Sequence, residues 1–407
     1  MANLNETPNA NRIHIGFFGR RNSGKSSLIN IFTGQEVSIV ADFAGTTTDP
    51  VYKAMEINPL GPCTIIDTAG FDDEGELGLM RVEKTKLAGE KADIAIIVFS
   101  AADADKTGID MELEWYEYFK ERKTPCLLLI NKADSDMNEA LSLRTLIGDK
   151  TGEQAIIVSA KTGLNIDRIK AALTRLLPEN YGNDSITGKL VNDGDVVLLV
   201  MPQDIQAPKG RLILPQVQTI RDLLDKKATV ICTVTDRMKQ TLAALAAPPK
   251  LIITDSQVFR FVYENKPQSS MLTSFSVLFA AYKGDIKYYT EGALAIDSLT
   301  ENSKVLIAEC CTHAPLTEDI GRVKIPAMLR KRFGAGLQVD MVSGTDFPED
   351  LTGYDLVIQC GGCMFNRKYI MSRIDSAKAQ KIPMTNYGVA IAHLTGILNI
   401  ITTNQDV

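Results

Sequence analysis

The sequence predicts an α/β protein of three domains, and three observations carry that prediction. Its 407 residues exceed the roughly 150 that one domain ordinarily holds. From Ile13 to about Pro178, short apolar runs alternate with helical patterns. Runs that are apolar throughout belong to strands buried on both faces, which points to a parallel sheet wrapped by helices. A polar stretch rich in glycine and asparagine, Pro178 to Leu190, then reads as a linker. The expected domains are 1–178, a small α/β domain over 190–265, and a third α/β domain over 266–407.

In the first domain the strands are HIGFFG, CTIIDTAG, ADIAIIVFS, CLLLINK and AIIVSAK. The second has strands DVVLLVMP, ATVICTV and KLIITDS, with helices at PQVQTIRDLLDKK and from Met238 to Ala246. A module of roughly 75 residues is small for an independent core, so burial supplied by a second copy, a homodimer, is expected. The third domain opens with helical patterns and continues with the strands KVLIAEC, LQVDMVS and DLVIQC.

Hydrophobic residues at 45% and charged residues at 23% describe an ordinary globular chain. A net charge of −6 provides no basic footprint, which argues against a nucleic-acid partner. No apolar run approaches the ~18 residues that would cross a membrane. The N-terminal residues show neither a secretory signal nor a transit peptide, so the cytoplasm is the expected location. Cysteines there stay reduced. Cys63, Cys126 and Cys232 lie singly in strand-like stretches and read as small buried hydrophobes. The other four are clustered as Cys310/Cys311 and Cys360/Cys363.

GRRNSGKS, Gly19 to Ser26, lies between a strand and a helical pattern. Gly19 and Gly24 let this loop fold its backbone N–H groups, from Arg21, Asn22 and Ser23 through Ser27, around phosphates. Lys25 then reaches the β and γ groups, and Ser26 holds Mg2+. DTAG, Asp67 to Gly70, ends the next buried strand and puts Asp67 where a carboxylate orients the Mg2+ shell through water. Between them AGTTTDP supplies Thr46 and Thr47, with Thr47 the expected second Mg2+ ligand. Lys25, Thr47, Asp67 and Gly70 are thus the candidate catalytic set. NKAD supplies Asn131, Lys132 and Asp134, whose carboxylate accepts both guanine N–H donors, a pairing adenine does not offer. SAK (Ser159, Ala160, Lys161) completes a GTP site.

This region resembles the translation-factor-like GTPases of the TrmE and Era type over roughly 165 residues. The resemblance implies that Asn22 helps coordinate K+ beside the phosphates. Phe71 stands where Ras-like proteins carry the glutamine that orients water, a task phenylalanine cannot perform. Slow hydrolysis stimulated by K+ is the expectation.

Cys311-Thr312-His313 follows one C-terminal strand, and C-G-G-C, Cys360 to Cys363, ends another. Sites in open α/β sheets form at the carboxyl ends of strands, so both clusters reach one edge. Three thiolates and an imidazole suit a closed zinc site. They equally suit a 4Fe-4S cluster on three cysteines, with the fourth iron left to His313 or to an exchangeable ligand. Cys310 is expected to face away, because strand neighbours alternate. His393, in GVAIAHLTGIL, reads as a packed histidine, and Met328 to Gly334 as a solvated helix face.

The order of GTPase motifs, small middle domain and C-x-H…C-x-x-C resembles the HydF family of FeFe-hydrogenase maturation GTPases over the whole chain. That resemblance implies a 4Fe-4S cluster on Cys311, Cys360 and Cys363. It further implies a scaffold that receives a two-iron subcluster from radical-SAM maturases and delivers it to apo-hydrogenase. The family often has a histidine just before C-x-x-C; here that place is Gln359, and His313 is only a possible ligand. The alternative is a GTPase of tRNA modification or ribosome assembly with a structural zinc. The acidic balance and the lack of an RNA-binding block count against it.

Overall fold

Five parallel strands form the first sheet: Ile13–Phe18 (β1), Gly61–Asp67 (β3), Ile94–Ser100 (β4), Cys126–Asn131 (β5) and Ile156–Ile157 (β6). The structure is a computed structural model that describes residues 7–34, 50–72, 76–102, 108–177, 185–203, 212–310 and 320–401. β1 is buried at all positions and β4 at all but its last, as strands covered on both faces must be. A sixth strand, Val51–Ile57 (β2), was not read from the sequence; with it the sheet is mostly parallel, as the fold class predicts. β2 runs antiparallel to β3, in the order β2-β3-β1-β4-β5-β6. Most of β2 is exposed, so it lacks the apolar signature that marked the others.

Helices Lys25–Thr33 and Ile166–Leu176 cover one face, packing Leu28, Phe32, Ile169 and Leu173 onto Ile15, Phe17 and Ile96. The other face holds Phe18, Trp115, Phe119, Leu143 and Ile147. These elements belong to the first of two compact units, Met1–Tyr181 and Gly182–Val407.

The second unit carries two parallel four-stranded sheets. In the order β10-β9-β7-β8, one contains Val196–Val200 (β7), Thr229–Thr233 (β8), Leu251–Thr254 (β9) and Met271–Ser274 (β10). In the order β12-β11-β13-β14, the other contains Lys304–Ala308 (β11), Gln338–Val342 (β12), Leu356–Gln359 (β13) and Met384–Asn386 (β14). β10 and β14, of 4 and 3 residues, are not among the strands read from the sequence. One apolar cluster runs through both sheets, from Leu198, Ile252 and Leu272 to Ile307, Ile358 and Met384.

Two sequence expectations need correction. Residues 186–190, taken as linker, are folded: Ile186 and Leu190 are buried, and Asp222 accepts from the backbone N–H groups of Ile186 and Thr187 at 2.9 and 3.0 Å. A carboxylate far along the chain satisfies that backbone, which local composition cannot reveal. Cys232 is exposed rather than buried, because β8 is an edge strand. Among the described residues no helix is long and apolar enough to cross a membrane.

Candidate nucleotide site and candidate metal centre

The P-loop joins β1 to the helix Lys25–Thr33 through two left-handed residues, Asn22 at φ 58° and Gly24 at φ 85°. A Cβ on Gly24 would lie 2.3 Å from Asn131 Nδ2, so only glycine fits. Asn131 acts as a clamp between motifs: Nδ2 donates to Ser23 O at 2.9 Å, and Oδ1 accepts from Ala160 N at 3.0 Å. Lys25 is buried, with Nζ donating to Gly19 O and Arg20 O, both at 2.8 Å. Ser26 Oγ donates to Asp67 Oδ2 at 2.7 Å. The sheet creates that pair, because Asp67 stands opposite Phe17 in the parallel register. A hydroxyl and a carboxylate so placed suit a hard cation held by oxygen ligands.

Gly70 closes against the same loop, since a Cβ there would meet Arg21 N at 2.5 Å. Asp72 Oδ1 accepts from Arg21 N at 2.6 Å. That latch was not foreseen, as nothing in the run of acids after Phe71 singles out Asp72. Arg20 and Glu112 were likewise missed. Arg20 Nε lies 3.0 Å from Glu112 Oε1, and burial pushes the Glu112 carboxyl above its ordinary range against the pull of Arg20. Phe71 stacks on Trp115, with centroids 5.6 Å apart and planes at 19°, and Trp115 stacks on Phe18 at 5.8 Å. The residue at the glutamine position is thus anchored in core. Thr46 and Thr47 lie outside the described residues.

At the base end Ser159 Oγ donates to Asp134 Oδ1 at 2.6 Å, and Lys161 Nζ lies 3.9 Å from Oδ2. The Ser159 hydrogen bond, followed by weaker help from Lys161 and Lys132, holds Asp134 below the usual carboxylate range. It is therefore an acceptor at neutral pH, as guanine recognition requires. Lys132 is left-handed at φ 63°.

In the second unit the ends of β11 and β13 meet. Cys360 N donates to Ala308 O at 3.0 Å, and Cys310 N donates to Cys360 Sγ, also at 3.0 Å. Gly362 turns at φ 60°, where a Cβ would be 2.4 Å from Ile370 Cδ1. Buried Lys283 donates to three carbonyls of this turn, Gly362 at 3.1 Å, Cys363 at 3.2 Å and Phe365 at 2.9 Å. A half-buried thiol receiving an N–H, on a turn whose carbonyls are drawn onto an ammonium, fits a thiolate-ligated metal or cluster. Cys311 and His313 lie outside the described residues. Among the described ones, no group of three or more histidines, cysteines and acids converges as a metal site.

The expectation that Cys310 faces away is overturned. Its buried thiol hydrogen-bonds with the Cys360 side chain and accepts from Arg373 Nη1 at 3.3 Å. Strand alternation does not govern it, because β11 ends at Ala308. Gln359 is buried, and its Nε2 donates to Tyr289 Oη at 3.2 Å. His393 packs with Nε2 3.0 Å from Asp297 Oδ1. Lys283 and Arg373 were not anticipated, since both sit in ordinary helical patterns.

Comparison with known proteins divides the chain in three. Residues 14–132 match a family model described as 50S ribosome-binding GTPase. Residues 186–284 match the hydrogen maturase F dimerization domain, and 287–402 its tetramerization domain. The GTPase Der of Clostridium kluyveri is 32% identical over 211 residues, 49% of this chain and 47% of that protein. The tRNA modification GTPase MnmE of Heliobacterium modesticaldum is 31% identical over 192 residues, 46% of this chain and 38% of that one. The chain thus spans less than half the length of these curated relatives. Among solved structures, Era in complex with MgGDPNP and a 16S ribosomal RNA segment is 20% identical, with a TM-score of 0.38 over 55% of this chain and 93% of that one.

Proposed function

Because this chain belongs to the hydrogen maturase F family, we propose that it is a GTP-hydrolysing scaffold that binds a 4Fe-4S cluster and assembles and delivers the two-iron subcluster of FeFe-hydrogenase. The observation that carries this reading is the meeting of Cys310, Cys360 and the Lys283-held turn at one sheet edge, on a chain whose other unit holds a GTP site. In that site Lys25, Thr47, Asp67 and Gly70 serve hydrolysis. Ser26 and Thr47 hold Mg2+, and Asp134 selects guanine. Phe71, locked against Trp115, leaves water orientation to other groups, which suits a slow enzyme stimulated by K+ at Asn22. Equal turnover in K+ and Na+ would remove the potassium role.

Cys311, Cys360 and Cys363 are the cluster ligands in this reading, with His313 a candidate fourth. Such a cluster supplies an iron site and a redox couple to which cargo can attach. What the chain itself contributes is the thiol spacing, the N–H from Cys310 to sulfur, and a turn whose carbonyls are bonded to Lys283. The partners are the radical-SAM maturases, apo-hydrogenase and a second copy of the chain, in the cytoplasm, without nucleic acid or membrane. Anaerobic purification followed by iron and sulfide analysis tests this directly. About four of each per chain is expected, and zinc in place of iron in the reconstituted protein would overturn the cluster.

A further inference from the structure

Two cations are buried beside the C-x-x-C turn, and among the described residues Arg373 has no carboxylate partner. Arg373, on the helix Arg367–Ala379, is 2% exposed. Its Nη1 donates to Cys310 Sγ at 3.3 Å, and Nη2 donates to Gly344 O at 2.5 Å and Tyr369 Oη at 3.2 Å. The guanidinium carbon lies 4.8 Å from the ring centroids of both Phe347 and Tyr369. Among the described residues, Nε has no hydrogen-bond partner and no acid pairs with the group. Lys283, 1% exposed, spends its donors on the turn's carbonyls.

A carbonyl, a phenol and two aromatic faces offset only part of the cost of taking a guanidinium out of water. Such a group is retained where an anion completes it. The path to one is short: Arg373 touches the Cys310 thiol, and the Cys310 N–H touches Cys360 Sγ.

We propose that Arg373, supported by Lys283, is the counter-cation of an anionic thiolate-ligated cluster at the C-x-x-C turn and raises its reduction potential. This rests on the cluster reading above. The reduced cluster carries one more negative charge than the oxidised one, so a fixed buried cation favours reduction; net charge and sulfur hydrogen bonds are among the levers that set such potentials.

The test is a redox titration, followed by EPR, of the anaerobically reconstituted full-length chain as wild type, Arg373→Met and Arg373→Lys. In Arg373→Met the one-electron equilibrium should shift about tenfold toward the oxidised form, a potential lower by about 59 mV. Arg373→Lys, which keeps the charge, should stay near wild type. Lys283→Met should shift the potential in the same direction by less, and it is the fallback if Arg373→Met does not fold. An unchanged potential in a methionine variant that carries the cluster overturns the counter-cation and leaves the cluster reading intact. A wild-type chain that takes up no iron overturns both.

Discussion

The nucleotide site and the cysteine site are assembled in opposite ways. In the first unit, short contiguous motifs present backbone N–H groups and hydroxyls at strand ends, and each is held by one or two bonds to the next motif, as Asn131 holds Ser23 and Ala160. In the second, the cysteine turn depends on residues from separate elements: Lys283 on one helix, Arg373 on another, Cys310 past the end of a strand. The motif-built site buries charges too, but Lys25 and Asp67 are each met by a neighbouring motif or by their own loop. The cysteine site buries two cations, so its chemistry depends on how those charges are balanced.

The contrast is tested most strongly by Lys25→Ala. Losing the buried ammonium that the proposed function assigns to the phosphates should lower kcat/KM for GTP by roughly 10²- to 10³-fold, while iron content after reconstitution stays at the wild-type level. Cys360→Ser should do the reverse, losing most of the iron and changing GTP turnover by less than about threefold, a surface-mutation-sized effect. If turnover collapsed with the cluster, the two sites would be directly coupled and the comparison broken.

A finer effect concerns Ser159, whose hydrogen bond is the largest influence holding Asp134 below its ordinary range. A depressed carboxyl keeps its acceptor role as pH falls until its own low value is crossed. In Ser159→Ala that value rises toward the unperturbed one. GTP affinity, followed with a fluorescent analogue, should then begin to fall at a higher pH than in wild type. Coincident acid limbs in the two proteins would show that Ser159 does not tune Asp134. Gly362→Ala gives the smallest expected effect, about 1–3 kcal/mol of stability for a side chain at positive φ facing Ile370, read as a lower unfolding midpoint.

The difference between the sites also explains what was legible beforehand. The P-loop, DTAG, NKAD and SAK each carry their geometry within a few residues, so spacing alone put the P-loop between a strand and a helix, which Lys25 and Ser26 begin, and Asp67 at the end of its strand. The Ser26 to Asp67 contact required only that β1 and β3 be neighbours. The C-x-x-C turn was equally legible. Its surroundings were not: Cys310 was misread because its strand ends two residues earlier, and β2 escaped because an exposed edge strand has no apolar run.

The sequence by itself determined the α/β class, the nucleotide motifs and the cysteine pair, because hydrophobic periodicity and short motifs act between residues close in the chain. Tertiary structure alone decided which charges are buried, that Phe71 rests on the single tryptophan, and that Arg373 lies behind the cysteines. Burial and electrostatic balance are set by neighbours tens of residues away, and no local pattern encodes them.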